Sequence, residues 1–113
     1  MTFTPHPELS EAEVAETVET TLAEHDVAVF MKGTRTFPQC GYSQRAVQLI
    51  GQYTDEFADV DTLAALDTFR SALAAHSGWE TIPQVYVDGE FIGGSDIVAE
   101  LDERGELEPL LQA

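Results

Sequence analysis

The 113-residue chain holds one cysteine, one lysine and only five basic residues in all, against 21 acidic ones. A lone cysteine excludes an internal disulfide, and with it the stapled scaffold of a small secreted domain. The formal charge of −16 excludes nucleic acid, whose binding needs clustered cations to displace counterions. It equally excludes an anionic membrane surface. There is no long apolar run and no signal-peptide pattern, so a cytoplasmic location is the default expectation. What is present is an ordinary hydrophobic share, 43 %, which argues against disorder and suffices for one self-sufficient core. Scarce lysine with abundant Asp and Glu matches halophilic proteins, whose charge repulsion is screened over about 3 Å in molar salt.

Residues 1–9, with Pro5, His6 and Pro7, read as a flexible lead, and 10–113 as one domain without repeat or linker. Ser10 and Glu13 form a capping-box signature ahead of a helical pattern reaching Glu24. Val27–Met31 is a nearly continuous apolar run, as in a strand covered on both faces. A loop over 33–39 leads to a helix over 41–52, with Ala46, Val47, Leu49 and Ile50 inward. Residues 56–61 form a weaker strand candidate around Phe57 and Val60, and 62–75 a third helix. Segments 84–87 and 90–92 flank Asp88-Gly89, a pair suited to a type I′ hairpin turn. Beyond Gly93-Gly94, Ser95 is expected to cap a last helix that runs through Arg104. This order predicts an α/β fold: a mixed four-stranded sheet with helices on both faces. Its first two strands are parallel through a right-handed crossover, and its closing hairpin is antiparallel.

Cys40 falls where the second helix begins. Free N–H groups and the positive end of the helix dipole favour an anion there. A thiol in such a place ionises below its usual pKa of about 8.5, and the thiolate is the nucleophile and metal ligand. The bland alternative is a small buried hydrophobe. Against it, Lys32, Arg35 and Arg45 all lie within eight residues of Cys40 in a chain very poor in cations.

Three segments, in order and at compatible spacing, resemble monothiol glutaredoxins. They are Phe30-Met31-Lys32-Gly33-Thr34 with Pro38-Gln39-Cys40-Gly41-Tyr42-Ser43, then Trp79 to Tyr86, then Gly89 to Ile97. The resemblance runs from about Ser10 to Leu111 and implies a thioredoxin-like fold. It makes Cys40 the catalytic and metal-ligating residue, within a Cys-Gly-Tyr-Ser tetrapeptide that includes Gly41 and Tyr42. Lys32 then lowers the thiol pKa and pairs with a carboxylate of a bound glutathione-type thiol; its bland reading is a solvated lysine. Thr81-Ile82-Pro83 becomes a cis-proline loop whose Ile82 backbone pairs with the cysteinyl part of that thiol. Gly94, Ser95 and Asp96 address its γ-glutamyl end, and Arg70 its glycine carboxylate. Outside the resemblance, Asp96 is an acid at a helix N-terminus and Arg70 an exposed helical arginine. Trp79 is expected to pack beneath the proline loop. His6, His25 and His76 share no ligand spacing.

Ser43 stands where dithiol relatives carry a second cysteine, so an intramolecular dithiol cycle is impossible. Tyr42 replaces phenylalanine, Ser95 a cysteine and Glu80 a proline of the family pattern, and Ala74 stands where many relatives carry a second cation. That last change leaves γ-glutamylcysteine open beside glutathione. A [2Fe–2S] cluster needs four ligand positions; Cys40 and one small thiol supply two, so two protomers are required. The resemblance makes a cluster carrier the leading expectation, homodimeric when loaded and monomeric otherwise, delivering to acceptor proteins. The alternative is a glutathione-dependent thiol–disulfide oxidoreductase. The composition itself yields a prediction: thermal unfolding should occur at higher temperature in molar KCl than in dilute buffer. Equal stability in the two would contradict salt adaptation.

Overall fold

A computed structural model describes residues 9–112. Residues 1–8 of the expected lead lie outside the described residues, whereas Leu9 packs against the core. Helix α1 (Glu11–Glu24) begins with the full capping box: Ser10 Oγ accepts from the Glu13 N–H while the Glu13 carboxylate accepts from the Ser10 N–H. Strand β1 (Val27–Met31) is buried at every position. It runs parallel to β2 (Ala58–Asp61) and antiparallel to β3 (Gln84–Val87), which pairs antiparallel with β4 (Glu90–Gly93). The sheet order is β2-β1-β3-β4, the expected mixed four-stranded sheet.

Alternating residues of β1 feed two separate cores. Val27, Val29 and Met31 meet helices α2 (Gly41–Gly51), α4 (Ser95–Glu103) and α5 (Leu107–Leu111). Ala28 and Phe30 meet α1 and α3 (Leu66–Ser77). In the second core Phe30 stands edge-on to Tyr86, ring centroids 5.6 Å apart, and tilted against Phe69. Burying each such ring is worth about 2–3 kcal/mol. In the β3–β4 turn Asp88 and Gly89 have φ of 52° and 79°, the double left-handed geometry of a type I′ turn.

Four expectations need correction. Strand β2 starts at Ala58 because Phe57 leaves the ladder and buries in the first core. The third helix opens as a 3-10 turn (Leu63–Ala65) and runs two residues further than read, to Ser77, before Gly78 at φ 79° ends it. Gly94, not Ser95, caps α4; Ser95 is its first helical residue and is buried. Finally, α5 was not anticipated. Gly105 turns the chain at φ 72°, and Leu107 and Leu111 then close the first core.

The loop between β1 and α2 is tightly held. Gly33 adopts φ +88° and lies so close to the returning chain that a Cβ would sit 2.3 Å from the Phe37 carbonyl oxygen. The Gly33 N–H donates to Asp61 Oδ1 (3.0 Å), and the Arg35 N–H and Nε donate to Asp59. The Arg35 guanidinium also reaches the carbonyls of Asp55 and Phe57 and covers the Phe57 ring at 3.8 Å. Arg35 therefore clamps the loop onto β2. Arg35→Ala should lower the unfolding free energy by about 1–3 kcal/mol, read by urea denaturation. An unchanged value would contradict the clamp.

Candidate functional site

The end of β1 and the start of α2 meet at Lys32. Its N–H donates to Ser43 Oγ at 3.1 Å, and its carbonyl accepts from the Gln39 N–H at 2.9 Å. These two bonds set Cys40 as the N-cap of α2, with extended backbone (φ −154°, ψ 136°). The thiol is partly exposed. Partial burial pushes its pKa up, but the N–H groups of Ser43 and Tyr42, the Ser43 hydroxyl and the Lys32 charge outweigh it, so the net shift is downward. The site thus favours the thiolate, as the helix-start position predicts.

Of the three cations close to Cys40 in sequence, only Lys32 acts on it. Arg35 is turned to β2 by its clamp. Arg45 is exposed on α2 and outside the cavity described below. The sequence leaves the roles of Arg35 and Arg45 open; the structure gives Arg35 to the loop clamp and leaves Arg45 off the cavity wall.

Beside the thiol opens a cavity of about 780 Å³. Its walls bring together Lys32, Cys40 and Tyr42 from the first motif, Thr81, Ile82 and Pro83 from the second, Gly94, Ser95 and Asp96 from the third, and Arg70 from α3. Of the site residues expected from the sequence, only Gly41 is not on the wall. The Ile82–Pro83 bond is cis, as the resemblance implied. Among the described residues, none hydrogen-bonds the Ile82 N–H or carbonyl, so both remain available to an extended ligand. Gly94 lets α4 approach this loop: a Cβ there would lie 3.2 Å from the Pro83 carbonyl oxygen. The N-terminus of α4 has no side-chain cap, which leaves its N–H groups for an anion, with Asp96 exposed in its first turn. At the other end Arg70 is joined to Asp67 at 3.1 Å, and the exposed Glu80 does not reach the wall.

Trp79, whose chemistry suggests packing beneath the proline loop, is 58 % exposed and lines the cavity instead. Phe91, Ile92, Gly93 and Ile97 also line it and were not singled out. Phe91, Ile92 and Gly93 are consecutive along β4, so no strand alternation sets them apart as cavity residues. Tyr42, Trp79 and Ile97 leave an exposed apolar rim on the cavity that Cys40 also lines. Among the described residues no group of three or more His, Cys, Asp or Glu could hold a metal ion, and no helix is long and apolar enough to cross a membrane.

Comparison with known proteins agrees with this geometry. The glutaredoxin family model matches residues 27–92. The chain is 55 % identical over 84 residues to the probable monothiol glutaredoxin GrlA of Legionella pneumophila, covering 74 % of this chain and 93 % of that one. Reduced apo GrxS14 from poplar superposes with a TM-score of 0.76 at 40 % identity, over 89 % of this chain and 92 % of that one. The holo form of glutaredoxin C1 from Populus tremula x tremuloides gives a TM-score of 0.74 at 35 % identity, over 88 % and 95 %.

Two predictions follow from the thiol's surroundings. Lys32→Met and Ser43→Ala should each move the pH midpoint of Cys40 alkylation by iodoacetamide upward; a midpoint that stays put would remove that residue from the account. Because the folded-state pKa is lowered, the thiolate's contribution to stability is present above the unfolded thiol's pKa and is lost as pH falls through the folded one. Wild type should therefore gain unfolding free energy relative to Cys40→Ser as pH rises across that window, and parallel pH profiles would contradict it.

Proposed function

Given that the chain belongs to the glutaredoxin family, with monothiol members among its relatives and a thioredoxin-like fold, we propose that it binds a glutathione-type thiol and carries a [2Fe–2S] cluster as cargo. In this reading two protomers and two small thiols hold the cluster, and acceptor proteins receive it. The observation that carries it is the donor set: one accessible sulfur favoured as thiolate, with no second thiol and no other metal-holding cluster among the described residues. A [2Fe–2S] cluster takes four ligand positions. Cys40 supplies one per protomer, a bound thiol the second, and a second protomer the remaining pair. The apolar rim of Tyr42, Trp79 and Ile97 would be covered when two such mouths face each other. The existence of a holo form among structural neighbours is consistent with a loaded state.

The cavity suits an extended γ-glutamyl peptide placed with its sulfur at Cys40. The free Ile82 N–H and carbonyl would pair with the cysteinyl backbone, with Thr81 and Pro83 shaping that edge. The α4 N-terminus at Gly94 and Ser95 would take the γ-glutamyl carboxylate, and Asp96 its ammonium group. Lys32 and Arg70 would meet the glycine carboxylate of glutathione, with Gly41 and Tyr42 opening the helix beside the sulfur. Arg70 is shared with Asp67 and Ala74 offers no second cation, which keeps γ-glutamylcysteine as the competing thiol.

Anaerobic reconstitution with iron, sulfide and glutathione should give a coloured dimer, and Cys40→Ser or omission of the thiol should abolish both colour and dimer. A colourless monomer that rapidly deglutathionylates a substrate would instead establish the oxidoreductase. There the Cys40 thiolate attacks the glutathione sulfur, releasing the substrate thiolate and forming a Cys40 mixed disulfide. A second glutathione thiolate then releases Cys40 as glutathione disulfide forms.

A further inference from the structure

One buried polar group is unused by the site as described so far. Gln84 opens β3 with no exposed surface, opposite Phe30 in the sheet. Its Nε2 donates to the carbonyls of Trp79 (2.7 Å) and Thr81 (3.0 Å), and its Oε1 accepts from the Tyr86 hydroxyl (2.7 Å). Tyr86 is itself 1 % exposed. The amide has only one sensible orientation: flipped, its oxygen would face two carbonyl oxygens and its NH₂ a hydroxyl that it now satisfies as acceptor. Ser77 adds a second tie, accepting from the Trp79 N–H at 3.0 Å.

We propose that Gln84, oriented by Tyr86, is the positioning residue for the thiol-binding edge of the cavity, an inference that rests on the thiol-binding reading above. The reason is peptide planarity. The Thr81 carbonyl and the Ile82 N–H belong to one rigid trans unit and point in opposite directions. Anchoring that carbonyl inward on Gln84 therefore directs the Ile82 N–H outward, on the residue that lines the cavity. The Trp79 carbonyl, held by the same amide, fixes the other end of the short segment. Gln84 touches no ligand; it sets the direction of a donor that does.

The test compares wild type with Gln84→Met, which keeps length but removes both donors, and Tyr86→Phe, which keeps ring volume but frees the amide. Affinity for reduced glutathione is measured by calorimetric titration at a temperature where each variant is folded, alongside iodoacetamide alkylation of Cys40 across pH. Glutathione affinity should fall about tenfold or more in Gln84→Met, the worth of one well-aimed hydrogen bond, and several-fold in Tyr86→Phe, with the alkylation midpoint unmoved. Should Gln84→Met fail to fold, Tyr86→Phe decides alone. Wild-type affinity in the folded variants overturns the inference, as does a parallel loss of thiol reactivity, which would mark a general structural role. Wild type that binds no glutathione overturns the underlying site reading instead, and this inference with it.

Discussion

The hydrogen bond from the Lys32 N–H to the Ser43 hydroxyl ties the end of the central strand to the first turn of α2, at 3.1 Å and with Ser43 fully buried. Most of the site's chemistry depends on that junction. It places Cys40 at the N-cap, where backbone N–H groups face the sulfur, and sets the chain's only lysine beside it. The same hydroxyl favours the thiolate, so one small side chain both closes the fold and activates the sulfur. A cysteine in place of Ser43 would offer the chain a second thiol but would exchange a strong acceptor for a weak one at this buried contact.

Around that junction the protein divides its labour between rigid and open parts. The loop before Cys40 is fixed by Gly33, by the two β2 aspartates and by the Arg35 clamp. The loop across the cavity is fixed from beneath by Gln84 and Ser77. Among the described residues the Ile82 backbone groups and the N-terminus of α4, both on cavity-lining residues, stay without protein partners. Preorganised edges of this kind reduce the entropy cost of holding a small flexible thiol. In a strongly acidic chain the cavity gathers two of the five basic residues, Lys32 and Arg70, beside an apolar rim.

Features written in local signals were legible in the sequence. The Ser10–Glu13 box, the apolar β1 run, the Asp88-Gly89 turn and the Cys40 helix start each depend on residues a few positions apart. Ten of the eleven site residues read from the sequence line the cavity, nine of them from the three motifs and Arg70 from α3, and Gly41 alone does not reach the wall. What escaped depends on contacts across the sheet. Arg35 is 24 residues from Asp59, and its role as a clamp is invisible until β2 lies beside the loop. Trp79 reads as a core residue by its chemistry, yet the cavity wall is where it sits. Helix α5 escapes a sequence reading despite Leu107, Leu110 and Leu111 at helical spacing, because its five residues are too few for periodicity to mark a helix. Gln84 passed as a strand residue, since nothing local shows that its amide reaches back to the preceding loop.

All of these arrangements matter for function only if the sulfur of Cys40 is an anion under working conditions, since neither a cluster nor a disulfide is engaged by a protonated thiol. The direct measurement is the ultraviolet thiolate absorbance of wild type titrated against pH, with Cys40→Ser as the blank. The account predicts a single ionisation with a midpoint clearly below the ordinary thiol value of about 8.5. A midpoint at or above that value would contradict it.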